Sequence, residues 1–280
     1  DRLFRSVTDA AAARARFELT TNPLPKDAKG KTFFDKSDGY ARMRRAFADL
    51  IDERGLGVLI ADAGVGKTAA IRNLCAELPQ PDFRVLYLCD TGASPMDLYR
   101  VMALDLGVAP SHRRGHLWAD IKKALTHMVD ERGTSPLIVV DEAQHLSDAF
   151  LRDLAAFLNF TFDSRELLTL WLVGLPPLER RLQMRQHDAL RTRIGALVHL
   201  EPLDRTTFGA AVEHGFKAAG AQKKLLADDA MEMLFRSTRG VLRSASRTIR
   251  CALRIADERG QAFLDETIVR AAIDELGTSL

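Results

Sequence analysis

Gly57-Val58-Leu59-Ile60-Ala61-Asp62-Ala63-Gly64-Val65-Gly66-Lys67-Thr68 is the stretch on which the reading of this chain turns. A short apolar run, Val58 to Ile60, breaks into a loop of small residues and closes on Gly66-Lys67-Thr68, after which a helix is predicted. That order suits phosphate: a buried strand aims the loop, small residues let backbone N–H groups approach oxygen atoms, and the helix N-terminus adds its dipole. Gly64 and Gly66 supply the bare backbone. On this reading Lys67 reaches the β- and γ-phosphates of a nucleotide and the Thr68 hydroxyl completes the shell of a Mg²⁺ ion. Ala61 stands where the pattern G-x-x-x-x-G-K-[ST] has its first glycine, which is compatible with the motif only at negative φ. The alternative, a strand-turn-helix corner with a chance Gly-Lys-Thr, is disfavoured by the strand before the loop and the helix after it.

Working outward, apolar runs and amphipathic segments alternate. The spacing of Tyr40, Met43, Phe47, Leu50 and Ile51 predicts a helix from Ser37 or Asp38 to Gly55, and another runs from Ala69 to Leu78. A second buried strand, Arg84 to Cys89, precedes helices at Ser94 to Gly107 and Leu117 to Glu131. Pro136 to Val140 is a third strand, apolar until Asp141 and Glu142 appear at its end. A helix at Asp148 to Phe160, a fourth strand at Leu168 to Val173, a helix containing Leu178 to Leu182 and a short fifth strand at Ala196 to Leu200 complete the alternation. Continuous Val/Ile/Leu strands separated by helices imply a parallel sheet covered on both faces, an α/β fold. After Leu203 only helices are expected, at Arg205 to Ala219, Asp228 to Thr238, Leu242 to Arg259 and Asp265 to Leu276, the last capped by Asp265. Three regions follow: an N-terminal arm at 1–39, an α/β domain at 40–202 and a helical domain at 203–280. The arm reads as extended and docked, because Pro23 and Pro25 interrupt it and Phe33 and Phe34 are placed to pin it.

Composition narrows the classes of function. With 280 residues, 46% hydrophobic and 28% charged, the chain has room for about two domains and the make-up of a globular protein rather than a disordered one. A net charge of +2 is too mild to identify a nucleic-acid partner by itself. Cys75, Cys89 and Cys251 are scattered through apolar stretches and read as buried free thiols of a reducing compartment, and no cysteine spacing suggests a metal site. No apolar run is long enough to span a bilayer and no signal pattern opens the sequence, so a cytoplasmic protein is expected. The sequence begins at Asp1 rather than methionine, which leaves room for a leading segment.

Asp141 and Glu142 carry the second half of the chemistry. At the carboxyl end of a buried strand they face the crevice where ligands bind in open α/β sheets. Asp141 would hold Mg²⁺ through water, and Glu142 would polarise the water that attacks the γ-phosphate. Phosphoryl transfer also needs a cation against developing charge. Arg191 and Arg193 precede the fifth strand, and Arg193 is the preferred finger. Arginines at 236, 239, 243, 247, 250 and 254 recur every three or four residues, and the later four form one stripe on a helix whose other side is apolar. Unneutralised, that stripe costs the helix stability, and phosphates or a partner's carboxylates would remove the cost. His112, Arg113, Arg114, Lys122 and Lys123 form a weaker basic patch suited to phosphate contact or to solvent. His145 is read as a hydrogen-bonded residue closing the strand turn, and Trp118 and Trp171 as packing.

Ala61 to Thr68, Asp141-Glu142-Ala143-Gln144, Val173-Gly174-Leu175-Pro176, Leu190 to Ile194 and Gly240-Val241-Leu242-Arg243 together resemble an AAA+ ATPase. More narrowly they are similar to the ExeA/TnsC/TniB-like group, which includes ATPases that accompany bacterial transposases. The resemblance implies a P-loop AAA+ parallel sheet followed by a small all-helical lid, with ATP and Mg²⁺ as cofactors. Ala63, Gly64, Val65, Gly66, Lys67, Thr68 and Ala69 would bind the nucleotide together with Arg243, a second sensor reaching from the lid. Thr68 and Asp141 would hold the metal. Lys67, Glu142 and Arg193, the last acting in trans, would be catalytic. It further implies a homo-oligomer, ring or helical filament, that forms on duplex DNA with ATP and recruits a transposase, together with a target-selection protein, hydrolysis controlling disassembly. An ExeA-like role in secretion or cell-envelope assembly, or a slowly hydrolysing scaffold switch, is the alternative. Leu175 occupies the strand end where many AAA+ proteins carry a polar first sensor, which points to slow turnover.

Overall fold

The apolar run before the loop becomes an inner strand of a parallel sheet. In a computed structural model, which describes residues 14–89, 92, 94–159 and 166–277, the chain divides into two compact units. One comprises residues 39–63 and 70–200, the other residues 1–38, 64–69 and 201–280. Ala10 to Ala13 of the Ala/Arg-rich stretch and Phe160, the expected end of a helix, lie outside the described residues.

The first unit begins with helix α1 (Asp38–Glu53) and strand β1 (Gly55–Ala61). Helix α2 (Lys67–Glu77) leads to β2 (Phe83–Leu88), and α3 (Pro95–Asp105) and α4 (Arg114–Asp130) to β3 (Ser135–Val140). Helix α5 (Asp148–Phe157) precedes β4 (Thr169–Gly174), and α6 (Pro176–Leu182) and the short α7 (Asp188–Arg191) precede β5 (Ile194–Leu200). The strands lie in the order β2-β3-β4-β1-β5, every pairing parallel. Being buried on both faces, β1, β3 and β4 need apolar residues at every position, not every second one. On one face Val58, Ile60, Ile138, Val140, Leu170 and Leu172 share a core with α3, α4 and α5. On the other, Phe47 of α1 stacks on Trp171 of β4 at 6.1 Å between ring centroids. Gly57 makes that approach possible, since a Cβ there would stand 2.7 Å from both Leu50 and the Trp171 ring.

Two sequence expectations change here. The second strand is an edge strand, with Tyr87 48% exposed, because β3 covers only one of its sides. Cys89, just past its end, is exposed rather than buried. Cys75 is half-buried and Cys251 buried, and burial pushes the Cys75 thiol up to about 12. The basic patch is partly structural: Arg114 pairs with Asp153 at 2.6 Å and lies 4.7 Å over Trp118, and Lys122 donates to the Asn159 carbonyl at 2.6 Å.

The second unit packs α8 (Arg205–Ala218), α9 (Asp228–Thr238), α10 (Leu242–Glu258) and α11 (Glu266–Gly277) around Phe208, Val212, Leu234, Ile249, Leu253 and Ile268. Asp204 caps α8 through the N–H groups of Thr206 and Thr207, and Asp265 caps α11 through Ile268 N–H. The arm docks on this bundle, but its anchors differ from those expected. Phe17 and Leu19, each 5% exposed, enter the helical core, and the Leu24 carbonyl accepts from Ser246 Oγ at 2.8 Å. Phe34 makes only an edge contact with His214, and Phe33 is half-buried, because charged neighbours keep that stretch at the surface. Among the described residues no helix is long and apolar enough to cross a membrane.

Candidate nucleotide site

The loop between β1 and α2 holds the geometry that its composition suggested. Ala61 is the last residue of β1, paired with Leu200, and is not among the residues with positive φ, so the replaced glycine costs nothing there. Gly64 and Gly66 adopt φ of +85° and +117°, where side chains are strained. They are required for different reasons. A Cβ on Gly64 would meet Arg243 Cβ and Val241 Cγ1 at 3.0 Å each, whereas at Gly66 nothing lies within 4 Å and only the backbone conformation demands glycine. Lys67 opens α2 and is 5% exposed, followed by the half-buried Thr68 and Ala69; Ala63 is exposed and Val65 half-buried.

Arg243 is brought to this loop. It is the second residue of α10, exposed, and its backbone N–H donates to the Gly64 carbonyl at 3.3 Å. The turn that delivers it is tightly specified. Arg239 closes α9 in the left-handed conformation at φ +50°, and Gly240 follows at φ +78°. A Cβ on Gly240 would lie 2.0 Å from the Leu203 carbonyl oxygen, and the same pair is joined by Leu203 N–H to Gly240 carbonyl at 3.2 Å.

At the end of β3, Asp141 is 2% exposed and both its oxygens are used. Oδ1 accepts the Glu142 N–H and Oδ2 accepts the Tyr87 hydroxyl, each at 2.8 Å. Burial and then the hydrogen bond to Asp141 push the Tyr87 hydroxyl well above its ordinary range, so it stays a donor at neutral pH. Glu142 has left-handed backbone, φ +52° and ψ +35°, an outlier of the kind that collects at functional sites. Its Oε2 accepts from Gln144 Nε2 at 2.7 Å, while Gln144 Oε1 accepts the Leu175 N–H at 3.1 Å. A Cβ on Gly174 would stand 3.0 Å from that Oε1, so glycine at the end of β4 leaves room for the amide. Gln144 thus supplies a polar group at the strand end where Leu175 cannot. Its own carbonyl is fixed by Arg181 at 2.9 Å.

Strand order places these tips on one edge. β1 and β3 both flank β4, with Ile60 in register with Gly174 and Val140 with Leu172, so their carboxyl ends are two strand spacings, about 10 Å, apart. Arg191 is engaged by Asp188 at 2.9 Å within α7, whereas Arg193 is half-buried in the turn that enters β5. His145 is exposed and its backbone N–H donates to the Glu142 carbonyl, in keeping with a turn-closing role. Tyr87 and Gln144 had no role assigned from sequence. Tyr87 lies 54 positions from its partner, and only the strand order reveals it.

The residues fit a nucleotide with Mg²⁺. A cradle with two left-handed glycines opens toward a helix N-terminus, and the acidic strand tip offers a single buried carboxylate. Among the described residues no three His, Cys, Asp or Glu side chains cluster to hold a metal alone. Mg²⁺ normally takes one or two protein ligands and draws the rest from phosphate and water.

Comparison with known proteins bears on the fold. The AAA domain family matches residues 50–182. General secretion pathway protein A of Aeromonas hydrophila is 28% identical over 213 residues, covering 75% of this chain and 39% of that protein, so the chain spans about two fifths of its length. The ORC2 protein of Aeropyrum pernix, solved as ADPNP–ADP complexes, is 17% identical with a TM-score of 0.67, covering 94% of this chain and 71% of that one. The ORC1 protein of Aeropyrum pernix in complex with DNA is 16% identical with a TM-score of 0.68, covering 93% and 69%. The chain therefore has the P-loop AAA+ fold, a five-stranded parallel sheet flanked by helices with a helical C-terminal region, and residues 50–182 match an AAA domain.

Proposed function

We propose that this chain is a Mg²⁺-dependent ATPase that regulates DNA transposition, assembling on duplex DNA with ATP and recruiting or activating a transposase. The observation that carries the nucleotide half is the convergence of Gly64, Gly66 and Arg243 on one loop, whose backbone conformations a side chain would strain. Loop residues Ala63 to Ala69 bind the phosphates, Lys67 at the β- and γ-positions, with Thr68 and Asp141 as the protein's share of the metal shell. Bound Mg²⁺ neutralises charge on the phosphates. Glu142, held by Gln144, orients the attacking water. Arg193 acts in trans and Arg243 senses the γ-phosphate. In this reading residues 1–39 are an arm, 40–202 the ATPase domain and 203–280 the lid, and the protein is cytoplasmic. Turnover is slow, because Gln144 and a backbone N–H stand in for a side-chain sensor, so ATP serves chiefly as an assembly switch.

The DNA half is supported by the likeness of fold to a protein solved in complex with DNA. A second reading, a role in secretion or cell-envelope assembly, is favoured by the match to general secretion pathway protein A. Electron microscopy and fluorescence anisotropy with duplex DNA, with and without ATP, separate the two. The first reading expects particles on DNA only with nucleotide, and affinity that falls steeply with salt. DNA binding that ignores ATP, or none at all, would reject it.

A further inference from the structure

The six arginines from Arg236 to Arg254 are treated unequally by the fold. Arg236 donates to Glu232 at 2.9 Å, and Arg254 is held by both Glu258 and Glu275. Between them Arg239, Arg243, Arg247 and Arg250 are exposed, and among the described residues none has a carboxylate partner. Arg243 is accounted for at the loop. Arg247 and Arg250 continue its stripe along α10 to about 10 Å from Arg243, and nothing so far uses them.

The opposite imbalance occurs on the other unit. The last turn of α1 carries Asp49, Asp52 and Glu53, all exposed, with no basic residue in that turn. Arg54, which follows, gives its guanidinium to the Glu166 carbonyl and Ser135 Oγ, and Arg45, one turn earlier, forms no ion pair among the described residues. Three carboxylates at spacings of three and four repel one another, and they sit at the negative end of the helix dipole.

We propose that Arg247 and Arg250 of one copy of this chain pair with Asp49, Asp52 and Glu53 of an adjacent copy. The proposal rests on the assembly reading above and assigns its contact. Two observations favour a second copy over duplex DNA as the occupant. Arg236 and Arg254, which flank the unpaired stretch, are already neutralised by Glu232 and by Glu258 and Glu275, so the unpaired positive charge is a short segment rather than a track for a long polyanion. A carboxylate cluster about 6 Å long ends within the stretch. One contact relieves both repulsions, and because the two patches are different surfaces, its repetition in one sense builds a ring or a helical array.

The test is charge reversal in the full chain with ATP and Mg²⁺, read by mass photometry and sedimentation. Arg247→Glu/Arg250→Glu and Asp49→Lys/Asp52→Lys should each require at least tenfold more protein to assemble, and mixing the two variants should restore assembly at the wild-type concentration. The milder Arg247→Gln/Arg250→Gln pair should weaken assembly while leaving the circular-dichroism melt of the monomer unchanged, which guards against a folding defect. Variants that assemble like wild type, or a mixture that fails to recover, would overturn the pairing and leave the assembly reading standing. Variants that assemble normally but lose DNA affinity would also overturn it and give the stripe to phosphates. Wild-type protein that stays monomeric with ATP would instead remove the assembly reading, and the pairing with it.

Discussion

The side-chain amide of Gln144 donates to Glu142 Oε2 at 2.7 Å, and with its oxygen it holds the Leu175 N–H, tying the acidic tip of β3 to the end of β4. A carboxylate meant to polarise water must point one way, and a left-handed backbone alone does not fix its rotamer. Gln144→Leu should therefore lower ATP turnover about tenfold or more while leaving ATP affinity within about twofold, since the proposed phosphate-binding loop is untouched. Phosphate-release kinetics beside titration calorimetry give the two numbers. Equal turnover would remove Gln144 from the site.

Lys67→Ala should abolish ATP binding and, with it, assembly. Glu142→Gln should keep binding, lose turnover by about 10²-fold or more, and strengthen DNA-bound oligomers. Calorimetry and particle counts with ATP distinguish these outcomes. Hydrolysis at the parental rate by Glu142→Gln would show that another group activates the water.

Arg193→Ala should stop turnover in assembled protein while the monomer's nucleotide affinity stays nearly intact. Mixing it with Glu142→Gln protein, which still binds ATP and assembles, should recover part of the activity, because each would supply what the other lacks at a shared site. No recovery at any mixing ratio would argue for action within one chain.

Gly240→Ala should be among the most destabilising single changes in the helical unit, by about 3 kcal/mol or more, since it adds a backbone clash to a strained φ. Gly115→Ala, with open space around it in the first turn of α4, should instead stabilise by about 0.5–1 kcal/mol. Urea melts of both variants decide this, and similar losses at the two positions would contradict the geometry.

Asp148 gives a pH signature. Its hydrogen bond from Arg181, supported by His187 and Gln186, holds its carboxyl down to about 2. A folded-state value depressed below the 3.8 of an ordinary aspartate contributes stability above that pH, lost as pH falls toward 2. The melting temperature of wild type should drop across that window, and Asp148→Asn should flatten this part of the profile. An unchanged slope would mean that the Arg181 contact is not maintained in solution.

What could be read along the chain was whatever depends on neighbours in sequence. The small-residue loop, the carboxylates closing an apolar run, the alternation of strand and helix, and the arginine stripe are all local or periodic, and each physical requirement is met within a few residues. Long-range pairing could not be read. Apolar content marked Arg84 to Cys89 as a buried strand, but strand order makes it an edge and brings Tyr87 to Asp141. Phe33 and Phe34 stand out in the sequence as an adjacent aromatic pair, yet Phe17 and Leu19 anchor the arm, because the cavity that receives them is built by helices some 200 positions away. Likewise, spacing put the last four of six arginines on one helix face, while only the placement of Glu232, Glu258 and Glu275 decided which of the six are neutralised and which remain to meet another molecule.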